Sequence, residues 1–394
     1  MLSLSQASPA KYEERTLKEF GLRRRVPVRY LPSNGDSIDS ELKLYQQILR
    51  HRDSQPDILM IDTIWPAILA EDLIDLKPYL PEAVAAAAPI EIRNNTVDGR
   101  VVAIPLLFSV GVLYYRPSLL QHYGFHHPPE TWDELENMSR VIQQGERRAG
   151  NRDFWGYVWT GGSDEGLTCV ALEWFLSQGG TNFVEEGGVA HLNNPQNVAA
   201  LKRAVSWIGT ISPPGEPMYH ESDTENLWRS GQAAFMRSWL GVFTANEKPV
   251  GKDRLAFELA PVPAGKAGHY GVIGDTSLGI SKYAANRNAA IEAVREFTSE
   301  AAERRRLLTS GIIPTRQALF RQPETFRYTL LRNETAQRVL DSLAMRPSTI
   351  LGKRYATVSH DISETVNSVL LHRQSAEAAL SGLQERLRKS VRDQ

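Results

Sequence analysis

The chain has 394 residues, which at roughly 150 residues per domain points to two or three domains. Lys plus Arg number 45 and Asp plus Glu 46, a formal net charge of −1. Bulk nucleic-acid binding, which draws on excess positive charge, finds no support there. Hydrophobic residues make up 42% and charged residues 23%, ordinary globular usage that excludes a wholly disordered chain, a collagen-like repeat and a coiled-coil rod.

The first hundred residues alternate strand and helix signals. Residues 2–5 read as a short strand and 9–20 as a helix. Residues 26–31 (ValProValArgTyrLeu) read as a strand, with Pro27 restricting it to an edge or marking its start. Ser33-Asn34-Gly35-Asp36 has strong turn chemistry. A helix is expected from Ser37 to His51, with Leu42, Leu44, Tyr45 and Ile48 as its apolar set. Residues 57–61 (AspIleLeuMetIle) carry the continuous apolar run of a strand buried on both faces of a parallel sheet, and Asp62 ends it. Residues 101–107 supply the next strand. This alternation predicts an α/β layered domain. The first 25 residues hold charged side chains and no apolar core of a signal peptide. Either the protein stays inside, or this numbering begins after a removed export signal.

The pattern restarts at Gly111. Residues 112–115 read as a strand. Thr131 and Glu134 form a Thr-x-x-Glu capping box, after which Trp132, Leu135, Met138 and Ile142 share one helix face. Helices are expected over 166–176 and 198–208, and a helix-to-strand unit over 226–231 and 233–239. A strand follows at 278–281, then helices at 289–298 and 300–309. From Glu324 onward the chain reads as almost entirely helical, with Ser375 capping a last helix built on Ala379, Leu380, Leu383 and Leu387. No repeat or low-complexity linker is visible, so two domains here imply several crossovers rather than beads on a string. No apolar run approaches the roughly 18 residues of a transmembrane helix.

Common catalytic and cofactor signatures are missing: no G-x-G-x-x-G, no phosphate-binding loop, no H-E-x-x-H, no EF-hand loop and no G-x-S-x-G elbow. We expect no cofactor and no metal site. The one cysteine, Cys169, sits among apolar neighbours at helical spacing and reads as a small buried hydrophobe. What stands out is tryptophan beside glycine and charge: Trp65 after Asp62, Trp159 before Gly161-Gly162 and Glu165, Trp228 before Gly231, and Trp239 after Arg237. An aromatic face stacks on the apolar face of a sugar ring, while carboxylates and arginine take its hydroxyls. Core packing is the alternative for each tryptophan.

Several segments, in order, carry a resemblance. Residues 56–66 (ProAspIleLeuMetIleAspThrIleTrpPro), Leu113-Tyr114-Tyr115-Arg116, Tyr123-Gly124 and Pro129-Glu130-Thr131-Trp132-Asp133-Glu134-Leu135 resemble bacterial family 1 extracellular solute-binding proteins, the maltose- and trehalose-binding relatives that serve ABC importers. Residues 156–174, 230–239, 278–282, 313–316, Arg346-Pro347 and the final helix extend the likeness over nearly the whole chain. The resemblance implies an α/β, two-lobed periplasmic-binding-protein fold (type II, maltose-binding-protein-like) with a hinged interlobe cleft. The N-lobe would be 1–108 plus 261–311, and the C-lobe 112–258 plus 314–394. Crossovers would fall near 109–111, 260–263 and 311–314.

Matched residue by residue, the resemblance implies that Asp62 accepts sugar hydroxyls in the cleft, with Asn34 and Asp36 in the loop lining the N-lobe side. Tyr114 or Tyr115 would be the crossing-strand tyrosine, only one of which can face the cleft. Trp159 and Glu165 would line the C-lobe wall, with Trp228 nearby. Arg237 and Trp239 match an arginine and an aromatic near the second crossover, and Arg346 would reach in from the C-terminal segment. One departure matters. Where many relatives carry Gly-Gly-Trp, this chain has Gly274-Asp275-Thr276-Ser277. Asp275 and Thr276 would thus replace a stacking platform with polar groups. A second departure is the short first strand, which suggests a mature form or a late start site and an N-lobe missing ladder bonds.

The leading expectation is a non-catalytic receptor that delivers a carbohydrate to ABC permease subunits. It would be periplasmic or extracellular and membrane-associated, with monomer as the default and no nucleic-acid partner. The alternatives are a ligand sensor of the same fold, and a glycan hydrolase with Glu165 as acid and Asp62 as its partner.

Overall fold

In a computed structural model, the described residues are 2–6, 11–32, 38–185, 188–243, 256–322, 324–325, 329, 331 and 333–392. They divide into two compact units. The first comprises 1–109, 274–329 and 351–353, and the second 110–273, 330–350 and 354–394.

The first unit is built on a five-stranded sheet in the order Val28–Pro32, Leu2–Gln6, Ile58–Asp62, Thr276–Ile280, Ala103–Leu107. Leu2–Gln6 runs parallel to both its neighbours, and Thr276–Ile280 runs antiparallel to both of its own. The expectation of a depleted first strand is corrected here. Leu2–Gln6 pairs along its length with Val28–Pro32, and Leu2 and Leu4 are fully buried. Val28–Pro32 begins just past Pro27 and takes the sheet edge, where a residue without an N–H costs no ladder bond. The unbroken apolar run Ile58-Leu59-Met60-Ile61 is buried throughout, as a strand covered on both faces must be. The core gathers Leu2, Leu4, Ile58, Ile104, Leu278, Ile280 and Phe297, with Leu17 and Phe20 from the helix Lys11–Arg24.

Asp57 ties three separate segments of this unit. It is fully buried, and its carboxylate accepts from Ser3 N and Ser3 Oγ (2.8 and 2.7 Å) and from Asn286 N (2.8 Å). Three donors from the first strand and from the residue preceding the helix Arg287–Phe297 satisfy a charge that burial alone would penalise.

The second unit carries a four-stranded sheet in the order Glu258–Pro261, Gly111–Tyr115, Ala233–Trp239, Trp155–Val158. The first three strands are antiparallel in turn and the last pair is parallel. Helix Glu165–Ser177 is buried almost all round, started by Asp164, whose carboxylate accepts from Leu167 N at 3.2 Å. It packs on helices Tyr355–Leu370 and Pro195–Trp207. Helix Trp132–Arg148 begins at Thr131, whose hydroxyl accepts from Glu134 N, while the Glu134 carboxylate returns to Glu130 N. The box thus closes one residue earlier than the sequence spacing predicts. Ser375 caps the last helix as expected, taking Ala378 N.

The changes of unit differ from the expected crossovers near 260–263 and 311–314. Gly271-Val272 pair with Leu343-Ala344, and Val272 N donates to Glu173, so the second unit runs on to Ile273. Residues 314–329 stay with the first unit, where Arg316 N and Thr315 Oγ1 both bond to Glu303.

Candidate functional site

Asn34 and Asp36 lie outside the described residues. The other expected site residues fall into two groups, one in each unit.

In the first unit, Asp62 closes its strand half-buried, and its Oδ1 accepts from Ile64 N at 3.1 Å. Thr276, also half-buried, stands opposite it in the antiparallel register. Asp275 is placed differently. It is buried, its carboxylate accepts from Ser109 N at 2.8 Å, and its carbonyl accepts from Thr63 N and Thr63 Oγ1 at 3.1 and 2.8 Å. It works as an internal brace, not as an open contact. Behind it lies Glu91, whose carboxyl is held well above the usual range, chiefly by burial and then by the Asp275 carboxylate. Glu91 was not anticipated from the sequence. Trp65 is core, edge-on to Tyr45 at 5.6 Å.

In the second unit, Tyr114 and Tyr115 point to opposite faces of their strand and both are buried. Tyr114 Oη donates to Trp239 O at 2.7 Å and Tyr115 Oη to Glu258 at 2.6 Å. Trp228 is covered by Arg116, whose Cζ lies 4.1 Å from its ring centre. Burial pulls the Arg116 guanidinium down to about 10. Trp159, expected on an open wall, is fully buried. Its ring lies 4.9 Å from Trp174 and its Nε1 donates to Ser212. For Trp159 and Trp228 the packing alternative is the one the fold realises. Trp174 and Trp207, from two helices, pack on the Trp159 ring.

Glu165 and Glu173 occupy one face of the buried helix, two turns apart with Cys169 between them, because residues four apart stack on a helix. Each holds an arginine. Glu165 Oε1 accepts from Arg346 Nη1 (2.7 Å) and Tyr355 Oη (2.5 Å), and Oε2 accepts from Ser359. Arg346 is buried and also donates to Ile273 O at 3.0 Å. This pair therefore ties the helix to the C-terminal segments, where the sequence suggested ligand contacts. Glu173 forms a two-pronged bond with Arg237, Nε–Oε2 at 2.9 Å and Nη2–Oε1 at 2.5 Å, both groups buried. Burial alone would pull the Arg237 guanidinium down, and the Glu173 carboxylate more than offsets this, raising it above its ordinary value. Gly111 is required beside the pair: a Cβ there would clash with Glu173 Oε1.

Trp239 is the expected site aromatic left half-buried. One face lies over Arg237, Cζ to ring centre 4.3 Å, and its Nε1 donates to Glu221 Oε1 at 2.5 Å. Glu221 and Glu173 were both missed as functional candidates. The available signal was Glu173 as the one acid inside the apolar run 166–176, since a buried carboxylate demands a partner.

The described residues also line a cavity of about 630 Å³ in the first unit, bounded by residues 78–83, Arg295, Ser299, Glu300 and Arg316. None of the expected site residues reaches it.

Residues 19–304 match the family described as bacterial extracellular solute-binding protein. The chain is 36% identical over 351 residues, 89% of its length and 83% of the relative's, to a probable ABC transporter-binding protein of Deinococcus radiodurans. Its fold superposes on maltose-bound MalE3 of T. maritima with a TM-score of 0.88 at 29% identity, covering 98% of each chain. It also superposes on a solute-binding protein of Thermotoga lettingae bound to α-D-tagatose, TM-score 0.84 at 21% identity and 99% of each chain.

Proposed function

We propose that this chain, which belongs to the bacterial extracellular solute-binding protein family, is the carbohydrate-binding receptor of an ABC importer. It takes a sugar outside the cytoplasm and hands it to membrane permease subunits. The family description places its members in the periplasm or outside the cell. We propose further that this receptor works as a single copy at the outer face of the membrane.

One observation carries the sugar assignment. Among the expected site aromatics, Trp239 alone is half-buried rather than buried, and its ring is backed by Arg237 and pinned at its edge by Glu221. A flat, fixed apolar face beside charge suits the C–H face of a sugar, and the maltose in the T. maritima MalE3 relative is of that class. In the first unit, Asp62, half-buried opposite Thr276, is the carboxylate we assign to sugar hydroxyls. Thr276 in place of a tryptophan favours a smaller or more polar sugar. The hydrolase alternative has little support, because Glu165, its acid, is committed to Arg346, Tyr355 and Ser359.

A thermal-shift panel of maltose, trehalose, longer oligosaccharides and sugar alcohols tests the assignment. A ligand at about 100 times its dissociation constant adds about 2.7 kcal/mol, a rise of a few degrees in a chain of this size. A selective rise is expected, lost in Trp239→Ala and reduced in Asp62→Ala, with unliganded melting unchanged. A flat panel removes the sugar assignment, and undiminished binding in both variants removes the site.

A further inference from the structure

We infer that Glu221 is a positioning residue for the sugar platform: its carboxylate fixes the Trp239 indole by the edge while the Glu173–Arg237 pair fixes it from beneath. This rests on the reading of Trp239 as a ligand contact.

Trp239 is the last residue of its strand, paired in register with Gly111. The ladder places its Cα but does not by itself fix the side-chain torsions of a half-buried ring. Three contacts remove that freedom. Arg237, two residues earlier and therefore on the same face, lies under the ring at 4.3 Å. Arg237 cannot swing away, because Glu173 grips it through two nitrogens and is itself anchored by Val272 N at 3.1 Å. The indole Nε1–H donates to Glu221 Oε1 at 2.5 Å.

Glu221 is in turn well seated. It is the first residue of helix Glu221–Arg229, where the helix dipole favours a carboxylate. The helix start is set by His220 N donating to Asp223, and Thr224 Oγ1 donates to Trp159 O at 3.2 Å, tying the first turn to the sheet. One ring face is thus held against the guanidinium and the indole edge against the carboxylate. A ligand that stacks on a fixed ring does not have to order it first, so the carboxylate acts on affinity without touching the sugar.

The test is a double-mutant cycle read by calorimetry with maltose. Glu221→Ala should weaken maltose binding about tenfold, the scale of one charge-assisted bond, with little change in unliganded melting. Glu221→Gln keeps an acceptor oxygen and should stay near wild type. In Trp239→Phe, which has no indole N–H, Glu221→Ala should add no further loss. An equal loss in both backgrounds overturns the inference. So does unchanged affinity in Glu221→Ala while Trp239→Ala binds weakly. Undiminished binding in Trp239→Ala overturns the platform reading and this one together. A ligand-free measurement decides the positioning by itself. The indole N–H resonance that vanishes in Trp239→Phe should move upfield and exchange faster in Glu221→Ala, and a resonance that stays put overturns the inference.

Discussion

Buried carboxylates set the local geometry of both units, and each has a different solution to the cost of burial. Asp57 is satisfied by backbone and hydroxyl donors, and Glu173 by a guanidinium. Glu91 receives Ala88 N and faces Asp275, with Glu303 a more distant like charge. Its carboxyl is held well above its ordinary 4.5, first by burial and then by Asp275. The folded chain therefore keeps a proton that the unfolded chain releases. Stability from this group is present at low pH and falls as pH rises above about 4.5, since the native state binds more protons there. Glu91→Gln supplies a permanent N–H toward Asp275. Its urea midpoint should fall less steeply than that of wild type between about pH 5 and pH 8. Parallel slopes for the two proteins would show that Glu91 does not titrate in that window. Cys169, buried beside Glu165, has its thiol pushed far up by burial. It should resist thiol reagents until the protein is unfolded, and rapid labelling under native conditions would contradict its placement.

Among the elements, the first strand shows how position in a sheet outweighs length. Leu2–Gln6 is only five residues long, yet it is an interior strand with parallel partners on both sides. Leu4 is fully buried in the core of that unit. Leu4→Ala should cost about 2–5 kcal/mol, the range for a buried leucine cut to alanine, read as a lower urea midpoint with ligand-binding residues untouched. A loss below about 0.5 kcal/mol, the range of surface substitutions, would mean that the strand is not paired as described. Helix Glu165–Ser177 makes the complementary point. Its length was legible from the apolar run, but the two acids on one face gain meaning only from Arg237 and Arg346, which come from distant parts of the chain.

For the whole molecule, each unit is assembled from separated stretches of chain. Thr276–Ile280 lies between Ile58–Asp62 and Ala103–Leu107 in the sheet of the first unit. A fragment of residues 1–109 lacks that strand and would leave two interior edges unpaired, an unstable arrangement. It should show poor dispersion in amide NMR spectra, and a cooperatively melting fragment would contradict the topology. The described residues contain no helix long and apolar enough to cross a membrane.

Hydrophobic period, caps and the ordered family segments determined the α/β class, many of the elements and the family by themselves, because those signals are local and survive without knowledge of partners. The strands Trp155–Val158 and Glu258–Pro261, half of the second unit's sheet, were not read from the sequence. The buried strand at Ile58–Asp62, the cap at Thr131 and the strand Ala233–Trp239 are examples of what was. Tertiary structure decided which polar and aromatic residues are open. Trp159 and Trp239 look alike in sequence, each close to glycine and charge, yet one is fully buried against Trp174 and the other only half-buried. Glu165 and Arg346 look like ligand contacts until they meet each other across 181 residues. Burial depends on what long-range packing places over a side chain, and no local window of sequence contains that neighbour.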